Sequence, residues 1–542
     1  MKSINNDMLS PDLNRMSKMP ERLPTDISSI RKIGIKDYQN NFFWPVSDND
    51  FFLMDRFLSR AFVDLYRELD REGRDIVLSD STFIRIIARH LHAMAVSEFC
   101  RARNIDLIVG PQWESYLKPY WGKKGSDIEN TLRGGRWSFK LGRIAKNIAF
   151  NSHLNIRSRI KGHFSSDGLS LGSASRLRQE YLVQNNLFID NHYWSTLLGK
   201  CNFGNKVQLS ILANQRIKDF ICVIGNYCAE KLGIVFDERS VFEYWIVRLT
   251  NLNTIYNFLL EKGPSSKHFL FTETAQPVNK LVAHAFRRKG TKVVAFHHGN
   301  DMGGNIKTSV MYSGPSSCDE FVCPISECAD SFRLKYQQTE ISKYNKTEFT
   351  STETEYYRKE WKELQLNPFP EKIQKVMIIG YPMTSMRYFD CPGLYFYFQL
   401  DLELRLVSLL KAHGFKVLYK IHPEVMTDVK NIFDGLCDRV ISEPFEIVWH
   451  EADAFITKYS ASTTFGFALC TNRPIFFIDL EKGYWNHDHY EKLRKRCQMI
   501  DAWMNKQNRI EFDEDKLIEG LSSKPEYPDF SYIRKYMFPL ET

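Results

Sequence analysis

Between residues 375 and 480 the chain alternates short apolar runs with segments of helical period. KVMIIGYPM (375–383), KVLYKIHPE (416–424), RVISEP (439–444), DAFITKYSAS (453–462) and PIFFIDL (474–480) read as strands. LDLELRLVSLLKAHG (400–414), a short stretch from Glu446 to Glu451, and TTFGFALC read as helices between them. Strands apolar on both faces and separated by helices belong to a parallel sheet covered on both sides. The expected fold class is therefore α/β.

The first half carries a similar texture. DRFLSRAFVDLYRELDREG (55–73) has apolar residues at helical spacing and ends at Gly73. DIVLSDS (75–81) reads as a strand, residues 83–102 as a helix, and NIDLIVGP (104–111) as another strand. KVQLSIL (206–212) and FICVIGN (220–226) are read as strands and residues 238–262 as a long helix. HFLFTET (268–274) is a strand, Pro277 to Arg288 a helix, and TKVVAFHHGN (291–300) a strand running into a loop. No repeat of about 20–50 residues is present. The domain reading has an N-terminal arm (1–40, with prolines at 11, 20 and 24) and a Rossmann-like unit (41–335). A charged linker (336–372), a second Rossmann-like unit (373–525) and a tail (526–542) complete it, the two units facing across a cleft.

Composition narrows the function classes. With 542 residues, 43% hydrophobic and 25% charged, the chain buries a core without staples and is not a disordered polypeptide. No run of about 18 apolar residues suggests a spanning helix, and MKSINNDMLSPDLNRM has no secretory apolar region, so a cytoplasmic protein is expected. The net charge of +8 is mild. The eleven cysteines show no zinc spacing; Cys318, Cys323 and Cys328 recur every five residues, and reduced thiols are expected. Residues 113–180 break the α/β texture. Lys118, Lys123, Lys124, Arg133, Arg136, Lys140, Arg143, Lys146, Arg157, Arg159, Lys161 and Arg176 are opposed between 118 and 176 only by Asp127, Glu129 and Asp167. Trp113, Tyr116, Tyr120, Trp121, Trp137 and Phe139 are interleaved. Two readings stand: a solvated insertion, or a surface for an anionic acceptor or the lipid headgroups of an inner membrane leaflet. No nucleic-acid motif accompanies it, so no nucleic-acid partner is expected.

Ligands of open α/β sheets sit at the carboxyl ends of the strands. Three clusters fall there. Lys420-Ile421-His422-Pro423 puts an imidazole at a strand exit, where it can donate to a phosphate oxygen or move a proton, and Pro423 stops further pairing. Tyr459-Ser460-Ala461-Ser462-Thr463-Thr464 puts small hydroxyls at a helix start, either as plain caps or as an anion site. Phe296-His297-His298-Gly299-Asn300-Asp301 brings two histidines to a strand end, with Asp301 as an orienting partner for a general base and Gly303 and Gly304 extending a flexible loop. Consecutive strand residues point apart, so His297 and His298 are not expected to chelate one metal. There is no GxGxxG after a strand and no Walker loop, which disfavours dinucleotide oxidoreductases and P-loop NTPases. Glu114, after IVGPQW, and Asp80, after DIVLS, are further carboxylates at expected strand ends, each a candidate base or a solvated loop residue. Asn486-His487-Asp488-His489 is read as a surface loop near the cleft, not a metal site.

The order of these motifs resembles the GT-B glycosyltransferase superfamily. It is most similar to the CDP-glycerol glycerophosphotransferases of teichoic acid synthesis and to capsule-synthesis transferases for Kdo and sialic-type sugars. Lys420-Ile421-His422-Pro423 matches the Lys-x-His-Pro motif of the first group in full. Its Trp-His-Gly is represented by His297-His298-Gly299, without the tryptophan. Its Asp-Tyr-Ser-Ser is represented by Lys458-Tyr459-Ser460-Ala461, which departs at both ends. The Ser-Thr-x-Gly-x-Glu-Ala-Leu run of the second group is represented by Ser462-Thr463, Ala468-Leu469 and a following Pro474; Gly466 is shifted by one and Phe467 stands in place of the glutamate. The resemblance spans roughly residues 265–500.

It implies a transferase moving an acidic sugar or a polyol phosphate from a CMP- or CDP-activated donor to a glycan, a lipid-linked acceptor or a protein, with no cofactor and no metal. His422, Lys420, Pro423, Tyr459, Ser460, Ser462, Thr463 and Thr464 would surround the donor phosphate. His298, with Asp301, would line the acceptor side. A nucleophilic Glu114 would give retention, and a carboxylate or His298 acting as base would give inversion. A non-catalytic nucleotide-sugar or glycan-binding scaffold, or a sugar-nucleotide epimerase, are the alternatives.

Overall fold

The computed structural model describes residues 19–117, 151–154, 166–172, 175–191, 197–272, 276–298, 302–305, 309–312, 314–384, 393–424, 426–480 and 482–539. Strands β1 (Arg22–Pro24) and β2 (Asp106–Ile108) form a small parallel pair. Six strands follow: β3 (Gly168–Leu171), β4 (Ile189–Asn191), β5 (His268–Phe271), β6 (Lys292–Phe296), β7 (Glu320–Cys323) and β8 (Glu348–Ser351). They lie in the order β4-β3-β5-β6-β7-β8, all parallel. A second sheet contains β9 (Lys375–Ile379), β10 (Lys416–Lys420), β11 (Arg439–Ile441), β12 (Ala454–Thr457), β13 (Ile475–Asp479), β14 (Gln498–Met504) and β15 (Ile510–Phe512). Its order is β11-β10-β9-β12-β13-β14-β15, parallel except for β15. The chain is thus α/β, built on two parallel sheets.

Both sheets are buried on both faces, as their apolar runs require. In the first, Phe269, Phe271, Val293 and Ala295 pack into the larger helical core, while Leu270, Val294, Phe296 and Val322 turn to the opposite face with Tyr181 and Leu182. In the second, Val376, Ile378, Val417, Tyr419 and Ile456 face one core and Met377, Ile379, Leu418, Phe455 and Phe477 the other. The two-residue period of a strand produces this division.

Two expected strands are helical and a third is mostly loop. DIVLSDS belongs to the helix Arg71–Ser79, started by Asp70, whose carboxylate accepts from Gly73 N–H at 2.7 Å. KVQLSIL runs as a loop into the helix Ile211–Tyr227, which also contains FICVIGN. Ser210 caps that helix by accepting from Ala213 N–H at 3.1 Å, and Ala213, Ile217, Phe220, Ile221 and Ile224 form its buried stripe. A short apolar run cannot by itself distinguish a strand from a helix buried on several sides; the caps decide here.

The expected outer segments are integral to the cores. Residues 19–40, read as an arm, carry β1 and two short helices, and Leu23, Ile27, Ile30 and Tyr38 are buried beside the second sheet. Tyr38 Oη donates to the carbonyl of Tyr397, and Asn508 Nδ2 donates to that of Trp44 at 3.0 Å. Within the expected linker, β8 is the edge strand of the first sheet, whereas Tyr357, Trp361 and Leu364 already pack on the second. The change of core falls between Ser351 and Tyr357. In the tail, the helix Ser531–Tyr536 buries Tyr532, Ile533 and Tyr536 in the same core.

Candidate functional site at the carboxyl edge of the second sheet

Strand order locates the site. From β9 the chain moves outward to β10 and β11, then returns to the opposite flank of β9 as β12 and continues to β13 and β14. This is the 3-2-1-4-5-6 order of a doubly wound sheet, and its direction reverses between β9 and β12. Loops leaving those strands diverge and leave a crevice at the carboxyl edge. Their described residues next to the strands are 380–384 and 458–462. Gly380 permits the tight exit: a Cβ there would lie 2.7 Å from the Lys420 carbonyl oxygen and from Tyr419 Oη.

Lys420, in register with Ile379 and Ile441, ends β10. Its buried Nζ donates to the Ile421 carbonyl at 2.6 Å. Burial pulls the ammonium pKa below its ordinary value, against the pull of Glu446 and Glu443. Two residues on, the half-buried His422 accepts Glu424 N–H at Nδ1, 3.2 Å away. With Nδ1 accepting that bond, the ring's donor is Nε2–H. Pro423 is exposed and, lacking an N–H, cannot prolong the strand.

On the other side of β9, Tyr459 sets its ring edge-on to Tyr381 at 5.6 Å, and Ser460 is buried. Ser462 is the N-cap of the helix Thr463–Cys470, yet its side chain makes no capping bond. Thr463 is exposed and Thr464 half-buried in the first turn. Of the two readings of these hydroxyls, the plain side-chain cap is not formed at Ser462, and the helix start carries N–H groups that lack intrahelical acceptors. β10 and β12 flank β9, so their exits are roughly 10 Å apart, two strand spacings.

A buried network beneath these loops escaped the sequence reading. Glu403, on the helix Phe396–Ala412, is fully buried. Its carboxylate accepts Tyr381 N–H at 2.8 Å and Tyr419 Oη–H, and it pairs with Lys458 Nζ. Lys458 Nζ also donates to the Ile379 carbonyl at 3.1 Å. Burial and the neighbouring carboxylate hold the Tyr419 pKa well above the usual phenol value, so the hydroxyl remains a donor. One carboxylate thus ties together the exits of β9 and β12 and the end of β10. The visible signals were a glutamate between two leucines, Leu402-Glu403-Leu404, and a lysine where the resembling motif has aspartate.

The histidine cluster ends β6 in the other sheet. His297 N–H donates to Val322 O at 2.9 Å, and its ring stands edge-on to Phe332 at 5.1 Å. His298 is exposed. Gly299, Asn300 and Asp301 lie outside the described residues, as does most of the basic insertion. The glycines that follow are tightly packed, contrary to the flexible loop expected. Gly303 has φ +76°, and a Cβ there would lie 2.4 Å from Ser331 Cβ. Gly304 O accepts Asn486 N–H at 2.7 Å, Asn305 bridges Trp485, and Met302 is buried in a core of the second sheet. The loop after the histidines is thereby fastened to the other unit. Gly303→Ala is expected to cost about 2 kcal/mol, from a left-handed backbone and overpacking together, read as a lower thermal unfolding midpoint.

The remaining candidates separate from this edge. Asp80 is a fully buried helix C-cap, held by Arg248 at 2.6 and 2.8 Å and by Trp245 Nε1 at 3.2 Å, so it is a structural anion rather than a base in a cleft. Glu114 is exposed on the helix Pro111–Leu117, reached from β2, which pairs with β1 and belongs to neither large sheet. Asn486 caps the helix His487–Arg496, and His489 is buried, stacked 3.6 Å from Tyr536. Among the described residues no group of three or more His, Cys, Asp or Glu side chains is placed to hold a metal ion, and no helix is long and apolar enough to cross a membrane. No protein-family model and no curated protein matches this chain.

Proposed function

We propose that the chain is a GT-B-type glycosyltransferase whose donor nucleotide sits at the crevice between β9 and β12. The carrying observation is that His422 and the uncapped start of the helix Thr463–Cys470 leave the same sheet edge on either side of the strand-order reversal. A helix start with spare N–H groups favours a phosphate through hydrogen bonding and dipole alike. An imidazole protonated on Nε2 adds a donor for the leaving phosphate oxygen.

In this reading the bond between the sugar, or polyol phosphate, and the donor phosphate breaks as the acceptor oxygen attacks. The nucleotide leaves with the bonding electron pair and is stabilised by His422 and by Ser462, Thr463 and the first-turn amides. The acceptor proton passes to a base on the first unit, for which His298, with Asp301, is the candidate. The similarity of Lys420-Ile421-His422-Pro423 to the cytidine-nucleotide transferases favours CMP or CDP as the leaving group.

The test is a thermal-shift screen with CMP, CDP, UDP, GDP and ADP, followed by donor hydrolysis and transfer assays. A cytidine nucleotide is expected to raise the melting temperature, because it binds the folded state alone. His422→Ala and Ser462→Ala are each expected to abolish the shift and lower turnover by about 10²–10³-fold. Intact binding and turnover in both variants sinks the reading; binding without turnover across an acceptor panel leaves the non-catalytic scaffold.

A further inference from the structure

The largest exposed apolar side chains of the first unit include three close together in sequence. Ile211 is 90% exposed, Leu212 48% and Val207 38%. They sit where the loop 204–210 enters the helix Ile211–Tyr227. This exposure is built into the fold. Val207 N–H donates to Thr254 Oγ1 at 3.0 Å, and Asn253 Nδ2 donates to the carbonyls of Val207 and Gln208 at 3.3 and 3.0 Å. Leu209 and Ala213 take the buried positions on either side. With Ser210 fixed as the cap, Ile211 and Leu212 can only project outward.

Exposed lysines outnumber acids around this tip; Asp219, two turns from Leu212, and Glu68 are both paired with Arg216. Lys200, Lys206 and Lys218 are exposed, and Lys218 lies two helical turns from Ile211 on the same face. No Asp or Glu occurs between Asp190 and Asp219. Arg216, the remaining cation of the stretch, is engaged by Glu68 at 3.1 Å and Asp219 at 3.5 Å. Exposed apolar side chains with three exposed lysines in the same stretch match an anionic lipid surface, where the chains enter the acyl boundary and the ammonium groups meet headgroup phosphates.

We infer that the tip formed by Val207, Ile211 and Leu212, with Lys200, Lys206 and Lys218, docks the protein on anionic phospholipid bilayers. This docking is independent of the nucleotide site. On the transferase reading, it would hold the first unit against a lipid-linked acceptor.

The experiment is co-sedimentation of the full chain with phosphatidylcholine vesicles containing phosphatidylglycerol, and with phosphatidylcholine alone. Binding is expected to the anionic vesicles and to fall at least tenfold on zwitterionic ones. Ile211→Asp with Leu212→Asp, and separately Lys206→Glu with Lys218→Glu, are each expected to weaken anionic binding at least fivefold. All four positions are solvent-exposed, so both variants should keep the parent's melting temperature and nucleotide-induced shift. Undiminished vesicle binding in both variants overturns the inference and moves the contact elsewhere, for instance to residues 113–180. A wild-type dimer that Ile211→Asp dissociates, with no vesicle binding, also overturns it and assigns the tip to a second copy of the chain.

Discussion

Replacing Glu403 with leucine is expected to lower the unfolding free energy by about 3–5 kcal/mol, the usual cost of leaving a buried partner charge uncompensated. The carboxylate is fully buried and receives Lys458, Tyr419 Oη and Tyr381 N–H. Removing it strands the Lys458 ammonium in the core with one carbonyl, that of Ile379, still accepting from it. Lys458→Met is expected to be costly for the mirror reason. The double variant, Glu403→Leu with Lys458→Met, should recover most of the loss, since replacing both charges by apolar groups of similar volume is often close to neutral. A residual deficit of about 1 kcal/mol should persist, because Tyr381 N–H and Tyr419 Oη lose their acceptor. Urea unfolding of the four proteins gives the double-mutant cycle directly. If the two single losses simply add in the double variant, Glu403 and Lys458 are not coupled and the account of the loops is wrong.

That pair also marks where sequence reasoning stops. The second sheet was legible because its strands are bounded by Gly414, Pro423 and Pro474 and carry apolar residues on both faces. Once those boundaries are visible, His422 and residues 459–464 fall at strand exits by position alone. Which side chain of the helix Phe396–Ala412 reaches them is a question of packing angle, and periodicity carries no information about it. The first half was less legible because its helices hide their period: Ile211–Tyr227 carries Ile211, Leu212 and Val223 on its exposed face, and Arg71–Ser79 is enclosed on several sides. Ile76, Val77 and Leu78 are all fully enclosed, so the polar face that would show a helical period is missing. Asp70 and Ser210, the caps that reveal these helices, have the composition of ordinary turn residues. The docking of Leu23, Ile27 and Trp44 beside the second sheet is a contact between segments hundreds of residues apart, with no local pattern to announce it.

Stability should fall as pH drops from about 6.5 toward 3, chiefly because buried histidines must stay neutral. His92 is enclosed by Trp44, Phe51, Trp113 and Tyr395, and its Nε2 accepts Trp44 Nε1–H at 3.0 Å. Burial lowers its pKa to about 3 from an ordinary 6.5. Between those values the unfolded chain binds a proton that the folded chain refuses, so unfolding is favoured progressively as acid is added. The full window corresponds to roughly 4 kcal/mol, and the fall to pH 4.5 to about 2–3 kcal/mol. Burial lowers the pKa of His90 and His284 in the same direction. Asp75 opposes them. Burial raises its carboxyl from 3.8 to about 6, so its stabilisation is present below the unfolded value and is lost as pH rises through the folded one. Burial raises Asp50 and Glu360 likewise, whereas Arg67 and Lys343 hold Glu340 below the ordinary carboxylate value and Arg101 does the same to Glu98, so these two act with the three imidazoles and leave net acid lability. The decisive comparison is His92→Gln, whose amide oxygen can accept from Trp44 without titrating. Its stability at pH 7 should be lower, since the ring contacts are lost, but its decline between pH 6.5 and 4.5 should be about 2–3 kcal/mol shallower than the parent's in urea unfolding. Parallel declines in the two proteins would remove His92 as the source, and with it the claim that the aromatic enclosure keeps this imidazole neutral.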